Sequence, residues 1–375
     1  MTVYDAVVVG TGGVGSAALY HLARRARVLG IDRFAPPHDR GSSHGQTRII
    51  RQAYFEHPDY TPLVLESYRL WNGLEAEVGQ KLYHEVGLLE VGPPDGIVVP
   101  GVLRAAEEHG LQVEQLAAAE IERRWPGLRV PENLTGVLET NAGYLKVEEC
   151  VQSHLEAAQR AGAELRCSVE VQGWNGSDPI RLQTSEGEIC TSKLIVTAGA
   201  WTPRLLADLG VKFEVRRKSL YWYATEGNQY AAANGFPGFL FELPSGIFYG
   251  FPQIDSQGVK LGDHAGGRVI EDPLEVDRDV DTQEQQAVEQ FLQEYMPLVS
   301  SFCTNDAVCM YTMTPSENFV VDRHPKNPHV VVAAGLSGHG FKFTPVLGKA
   351  LADLALDGGT ELPIGFLSIK HNKED

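Results

Sequence analysis

The sequence predicts an α/β fold in which a nucleotide-binding domain is interrupted by a second, largely antiparallel region. Three observations carry this expectation. The chain opens on a strand, a glycine turn and a helix; an apolar strand ending in small residues returns near position 195; and the texture from Phe213 to Tyr311 is aromatic and alternating. A chain of 375 residues is also too long for one core of ordinary size, so two domains sharing an interface are expected.

"DAVVVGTGGVGSAALYHLARRARVLGIDR" gives the first element its form. Ala6 to Val9 is the continuous apolar run of a buried parallel strand, Ala17, Ala18 and Leu22 supply a helix with an apolar face, and Val28 to Ile31 resumes a strand. Gly10, Gly12 and Gly15 form G-x-G-x-x-G at the strand-to-helix junction. Missing side chains there let the backbone approach a pyrophosphate, and the helix N-terminus faces its charge. Asp32 ends the second strand, about 20 residues on, where a carboxylate accepts hydrogen bonds from a ribose diol. The glycine motif suits NAD and FAD equally. The long loop 33 to 51, "RFAPPHDRGSSHGQTRIIR", favours FAD, because loops of that length in compact domains are usually functional.

Residues 56 to 80 read as a helix with Leu63, Leu65, Leu70 and Trp71 among polar positions, and "LRAAEEHG" and "VEQLAAAEIERRWPGL" read as surface helices. An amphipathic helix over 147 to 162 ends at a glycine, "AELRCSVEVQGW" follows as strand, and "KLIVTAGAWT" is the returning apolar strand. Its Ala198-Gly199-Ala200 turn lets backbone come close to a ligand. "KSLYWYATE" and "FYGFPQ" suggest antiparallel sheet.

Composition excludes several classes of function. Lys plus Arg number 32 against 49 Asp plus Glu, a formal net charge of −17, which repels nucleic acid. No apolar run approaches the ~20 residues of a membrane span. Five cysteines, odd in number and without ligand spacing, suggest neither a disulfide framework nor a metal site. With a strand beginning almost at Met1, leaving no room for a signal sequence, the expected compartment is the cytoplasm.

Taken with the glycine motif, the segments "PPHDRGSSHGQTRIIRQAY", "FYGFPQIDSQGVKLGDHAGG", "AVCMYTMTPSENFVVD" and "AAGLSGHGFKF" resemble the monomeric sarcosine oxidase and N-methyltryptophan oxidase family of flavoenzymes, along nearly the whole chain. The resemblance implies a glutathione-reductase-like FAD-binding domain (residues 1–83, 143–214 and 316–375) and an inserted α+β substrate domain with a mixed sheet (84–142 and 215–315). It implies oxidation of a small zwitterionic secondary amino acid to an imine, with molecular oxygen reduced to hydrogen peroxide, by a monomer.

Residue by residue, Cys309 matches the cysteine joined to FAD, although without the family it reads as a buried structural thiol beside Val308 and Met310. Lys260 matches the lysine that activates oxygen, where a fixed ammonium stabilises the charge of reduced oxygen. Arg51 and Lys342 match a clamp for the substrate carboxylate, with Arg48 and Thr47 nearer the flavin ring. At their spacing Arg48 and Arg51 also fit one solvated helix face. Gly338, Gly340 and the adjacent Phe341 match the segment passing the flavin pyrimidine, where glycine permits backbone contacts; His44 and His339 match histidines near the flavin, and Tyr249 and His264 match positions lining the substrate cavity. Asp263 departs from the family pattern, and its carboxylate either faces solvent or alters the side chain the substrate prefers. Three other readings stay open: an NAD-linked dehydrogenase, which leaves Cys309 and "GHGFKF" without a role; an oxidase of cyclic imino acids or primary amines; and a flavin-containing binding protein without turnover.

Overall fold

Residues 3–372 are described by the computed structural model of the protein. Strand β1 (Val3–Val9), helix α1 (Gly13–Ala23) and strand β2 (Val28–Ile31) form the expected opening unit. Five strands of an eight-stranded sheet run parallel, in the order Asn327–Ala334, Gly187–Val196, β1, β2, Glu164–Arg166. Their apolar runs are continuous because both faces are covered. Helices α1, Val147–Arg160 and Thr344–Leu356 pack together on one face, burying Leu19, Leu22, Val151, Leu347 and Leu351. Val320–His324 adds an antiparallel strand at one edge, and Val171–Asn175 and Ile180–Thr184 pair onto the first half of Gly187–Val196.

The second sheet has nine strands and is mixed. Most of its pairs are antiparallel, and one parallel pair, Gly238–Leu243 with Leu88–Gly92, joins its two parts. Alternation sorts its side chains onto two faces. Phe239, Phe241 and Phe248 meet Phe291 of helix Thr282–Tyr295 on one face, while Leu220, Trp222, Leu240, Tyr249 and Phe251 form an apolar cluster on the other. A three-stranded sheet links strand β3 (Thr47–Ile50) with Gly143–Lys146 and Tyr83–Glu85.

Three local expectations are corrected. Arg48 lies within β3 and Arg51 just after it, so the two do not share a helix face, and the loop expected over 33 to 51 contains a strand. Of the helix expected over 113 to 128, only Ala118–Arg124 is helical; Glu114–Ala117 extends the large sheet by pairing with Thr135–Leu138, a long-range pairing that outweighs alanine's helix propensity. Asp263 does not line the cavity. It sits in register with Phe248 on the sheet face toward Thr282–Tyr295, where its carboxylate accepts a hydrogen bond from Ala265 N at 2.9 Å. Among the described residues no helix is long and apolar enough to cross a membrane, and no cluster of His, Cys, Asp and Glu could hold a metal ion.

Candidate active site

One continuous cavity begins where the parallel strands end. Val9 and Gly10, Ile31 and Asp32, Thr197 and Ala198, and Ala334 and Gly335 all line it, each pair at the carboxyl end of a strand. This is where open α/β sheets place ligands, because the following loops diverge there and helix N-termini point inward. Gly12 and Gly13 lead the wall into α1, whose first turn has no side-chain cap and whose Gly13 N–H is 3.1 Å from Ser43 Oγ. Gly15 is required by packing: a Cβ there would sit 1.8 Å from Gly10 O, so the helix could not rest on the strand turn. Asp32 is buried, with one carboxylate oxygen accepting from Thr11 N at 2.7 Å and the other from Phe34 N at 2.9 Å.

From the glycine turn the cavity runs past Arg48 to the face of the large sheet that carries Leu240 and Tyr249. Arg48 is half-buried, and its side-chain hydrogen bonds go to the carbonyls of Ser42 (2.9 Å) and Thr47 (2.8 Å), so no carboxylate among the described residues neutralises it by direct contact. Thr47 is fully buried. Its carbonyl and hydroxyl accept from Lys260 Nζ at 2.8 and 3.0 Å, and Gly45 O accepts a third bond at 2.5 Å. Burial, with Arg48 nearby, pushes the Lys260 ammonium well below its usual range. Lys260 is not a wall of the cavity. It stands behind the 45–47 segment, over the Phe251 ring at 4.6 Å.

Cys309 is buried in strand Val299–Met313, in register with Lys218, and Met310, Tyr311 and Thr312 beside it line the cavity. His44 is buried, and its Nε2 has no hydrogen-bond partner; burial, with Arg48 adding to it, lowers its pKa to about 3. Gly338 and Gly340 line the cavity opposite. Gly338 has φ +81°, and a Cβ there would meet the Tyr311 ring at 2.4 Å, so only glycine lets this backbone pass. His339 shares a short hydrogen bond with the Tyr54 hydroxyl through Nδ1, and its Nε2 lies 3.1 Å from Glu317 O. With both ring nitrogens engaged and burial lowering its pKa to about 3, it stays neutral and braces the wall.

Arg51 and Lys342, both lining the cavity, approach the same Tyr54 ring, at 4.3 and 5.1 Å. Lys342 Nζ donates to His339 O at 2.8 Å, and burial, with Arg51 beside it, pushes its pKa down to about 7. His264 and Tyr249 complete the lining; burial lowers the His264 pKa to about 4. Two carboxyl groups here were not singled out from the sequence. Glu56 takes Arg51 Nη2 at 2.6 and 2.7 Å; burial would raise its carboxyl, but Arg51 leads the cations that hold it down to about 2. Glu90 stands 3.6 Å from Arg51 Nε. The signal for Glu90 was present, a lone acid in the apolar strand "GLLEVG"; Glu56 had only its nearness to Arg51.

Fold and site together define an oxidoreductase of the dinucleotide-binding α/β class. The model of the FAD dependent oxidoreductase family matches residues 5–354, and the chain belongs to that family. It is 41% identical to monomeric sarcosine oxidase of Bacillus sp. (strain B-0618), over 98% of this chain and 96% of the relative. It is 37% identical to N-methyl-L-tryptophan oxidase of Yersinia pestis (strain Pestoides F), over 98% of each. Among solved structures, the open form of NikD, an unusual amino acid oxidase essential for nikkomycin biosynthesis, superposes with a TM-score of 0.86 at 26% identity, covering 98% of both chains. The residues present fit FAD: the glycine turn and the α1 N-terminus suit its pyrophosphate, buried Asp32 a ribose diol, and un-neutralised Arg48 a polar, electron-accepting ring, whereas His44 stands behind the cavity lining.

Proposed function

We propose that the protein oxidises a small secondary amino acid, sarcosine or an N-methyl amino acid of that kind, to the imine, with dioxygen reduced to hydrogen peroxide. The observation that carries this is the convergence of Arg51 and Lys342 on Tyr54 in the cavity that starts at the glycine turn. A guanidinium fork and an ammonium together suit one carboxylate, and fixing that end orients the amine carbon. FAD, when bound, supplies the two-electron acceptor and its reoxidation by dioxygen. Gly10, Gly12, Gly15 and Asp32 would hold its nucleotide half, and Thr47, Arg48, His44, Gly338, His339 and Gly340 its ring end. The cation of Arg48 favours negative charge on that ring, and Lys260 is the group we assign to oxygen activation.

The substrate carboxylate takes Arg51 in exchange for Glu56, which occupies the guanidinium otherwise. His264 and Tyr249 shape the space above. His264, neutral through burial, adds no charge to repel the protonated amine of an arriving zwitterion. Cys309, buried on the strand whose next three residues line the cavity, is the residue we assign to covalent attachment of FAD. The sheets support a division into an FAD-binding domain (1–83, 143–214 and 316–375) and a substrate domain (84–142 and 215–315), in a cytoplasmic monomer.

The test is to purify the yellow protein, precipitate it in acid, and assay peroxide with sarcosine, N-methyltryptophan, pipecolate and proline. Colour retained in the pellet and turnover fastest with an N-methyl amino acid are expected. Colour lost to the supernatant removes the Cys309 linkage, and peroxide only from the cyclic acids replaces the substrate class.

A further inference from the structure

Glu90 is the middle residue of strand Leu88–Gly92, and its side chain is fully buried. Neither carboxyl oxygen has a hydrogen-bond partner. In register it faces Leu240, which in turn faces Tyr249. Paired positions share a sheet face, so Glu90 lies on the face that floors the cavity, one strand beyond its walls. Its surroundings there are apolar, with Val137 as the partner across the strand. Arg51 Nε stands 3.6 Å away, beyond hydrogen-bonding reach.

A carboxylate without hydrogen bonds in such a place costs far more than a neutral acid, so the group carries a proton. Burial raises its pKa to about 8 even against the pull of Arg51. The charged groups that face it are Arg51, Glu139, Glu56 and Lys342. Glu139 is occupied by the amides of Gln52 (2.7 Å) and Ala53 (2.8 Å), and Glu56 by Arg51. Glu56 thus already offsets the Arg51 guanidinium, and a neutral Glu90 adds no second negative charge beside it. A carboxylate arriving there draws a proton onto Lys342 and is matched by it.

We propose that Glu90 is a specificity-determining residue that acts through Arg51: as a buried neutral acid it leaves Arg51 without a second negative neighbour when a monocarboxylate arrives, and as a carboxylate it competes for that guanidinium and turns the site against acids. This rests on Arg51 and Lys342 being the carboxylate grip. The site accordingly takes one carboxylate and no second acid, and its grip loosens as Glu90 ionises.

The experiment uses the FAD-loaded enzyme and propionate, a carboxylate with no amine to oxidise, with its Kd read by calorimetry and by perturbation of the flavin spectrum. Between about pH 7.5 and about pH 9.5, a window that straddles about 8, the wild type should weaken by on the order of tenfold more than Glu90→Gln. Glu90→Gln, an isostere of the neutral acid, should lose only the affinity that follows from the proton taken up by Lys342, and Glu90→Leu, which also removes the charge, should do the same. If both variants weaken as the wild type does, the proposal is overturned and the grip stands. If propionate binds wild type and Arg51→Ala equally at every pH, the grip itself is wrong and the proposal falls with it.

Discussion

Arg51 shows how one residue's role is set by its neighbours. Its guanidinium is stacked over Tyr54 (4.3 Å) and Phe55 (4.4 Å) and tied to Glu56 and to Ala53 O (2.7 Å). Under the proposed grip a substrate carboxylate must match the bidentate Glu56 already present, so the fork geometry matters as much as the charge. Arg51→Lys, which keeps the charge and loses the fork, should raise KM for an N-methyl amino acid roughly tenfold, and Arg51→Ala roughly a hundredfold, the range of a charged hydrogen bond. Steady-state kinetics in air-saturated buffer check this, and an unchanged KM in the Ala variant would remove Arg51 from the grip. The pair Arg51 and Lys342 was legible in the sequence through motif resemblance. Their acidic partners were not, because pairing with an acid depends on side-chain direction, which spacing alone does not give.

At the scale of an element, the opening β1–α1–β2 unit is the most constrained piece of the chain. The α1 axis is fixed by the contact of Gly15 with Gly10 O, and its N-terminus by the turn through Gly12. Gly15→Ala must therefore push the helix off the strand, at a cost of roughly 3 kcal/mol typical of overpacking. A lower melting temperature and a smaller flavin content per chain, read from the visible to ultraviolet absorbance ratio, are expected together. A variant that melts lower but keeps full flavin would show that the close contact serves packing alone. This unit could be read from the sequence because strand, turn and helix are contiguous. The Glu114–Ala117 strand could not, since its ladder partner lies in Thr135–Leu138 and the local residues favour helix.

For the molecule as a whole, acid stability is set by histidines held neutral. Burial lowers the pKa of His21 and His264 to about 4 and of His44, His154 and His339 to about 3. Each takes up a proton near its unfolded value of about 6.5 only when the chain unfolds. The unfolded state thus binds more protons below that pH, and stability must fall as pH drops from about 6.5 toward about 4. Thermal melts over that range should show a steep fall, of several kcal/mol in all, in the FAD-loaded enzyme. A flat profile down to about pH 4 would mean that these rings open to water or find acidic partners. His21 and His154 lie in two helices packed on the parallel sheet and line no part of the cavity, so the effect belongs to the fold and not to the cavity alone.

The sequence by itself determined the parallel nucleotide-binding sheet, the glycine turn, the acid at the end of β2 and the family to which the chain belongs. Each is written in residues adjacent along the chain, or in motifs long enough to be matched as strings. Only the tertiary structure decided that Asp263 turns away from the cavity, that Lys260 stands behind the Gly45–Thr47 backbone, and that Arg51 is flanked by two carboxyls of opposite protonation. The reason is physical. A side chain's charge state and direction follow from burial and from partners brought in from distant strands, and a one-residue change of register moves a group from one face of a sheet to the other.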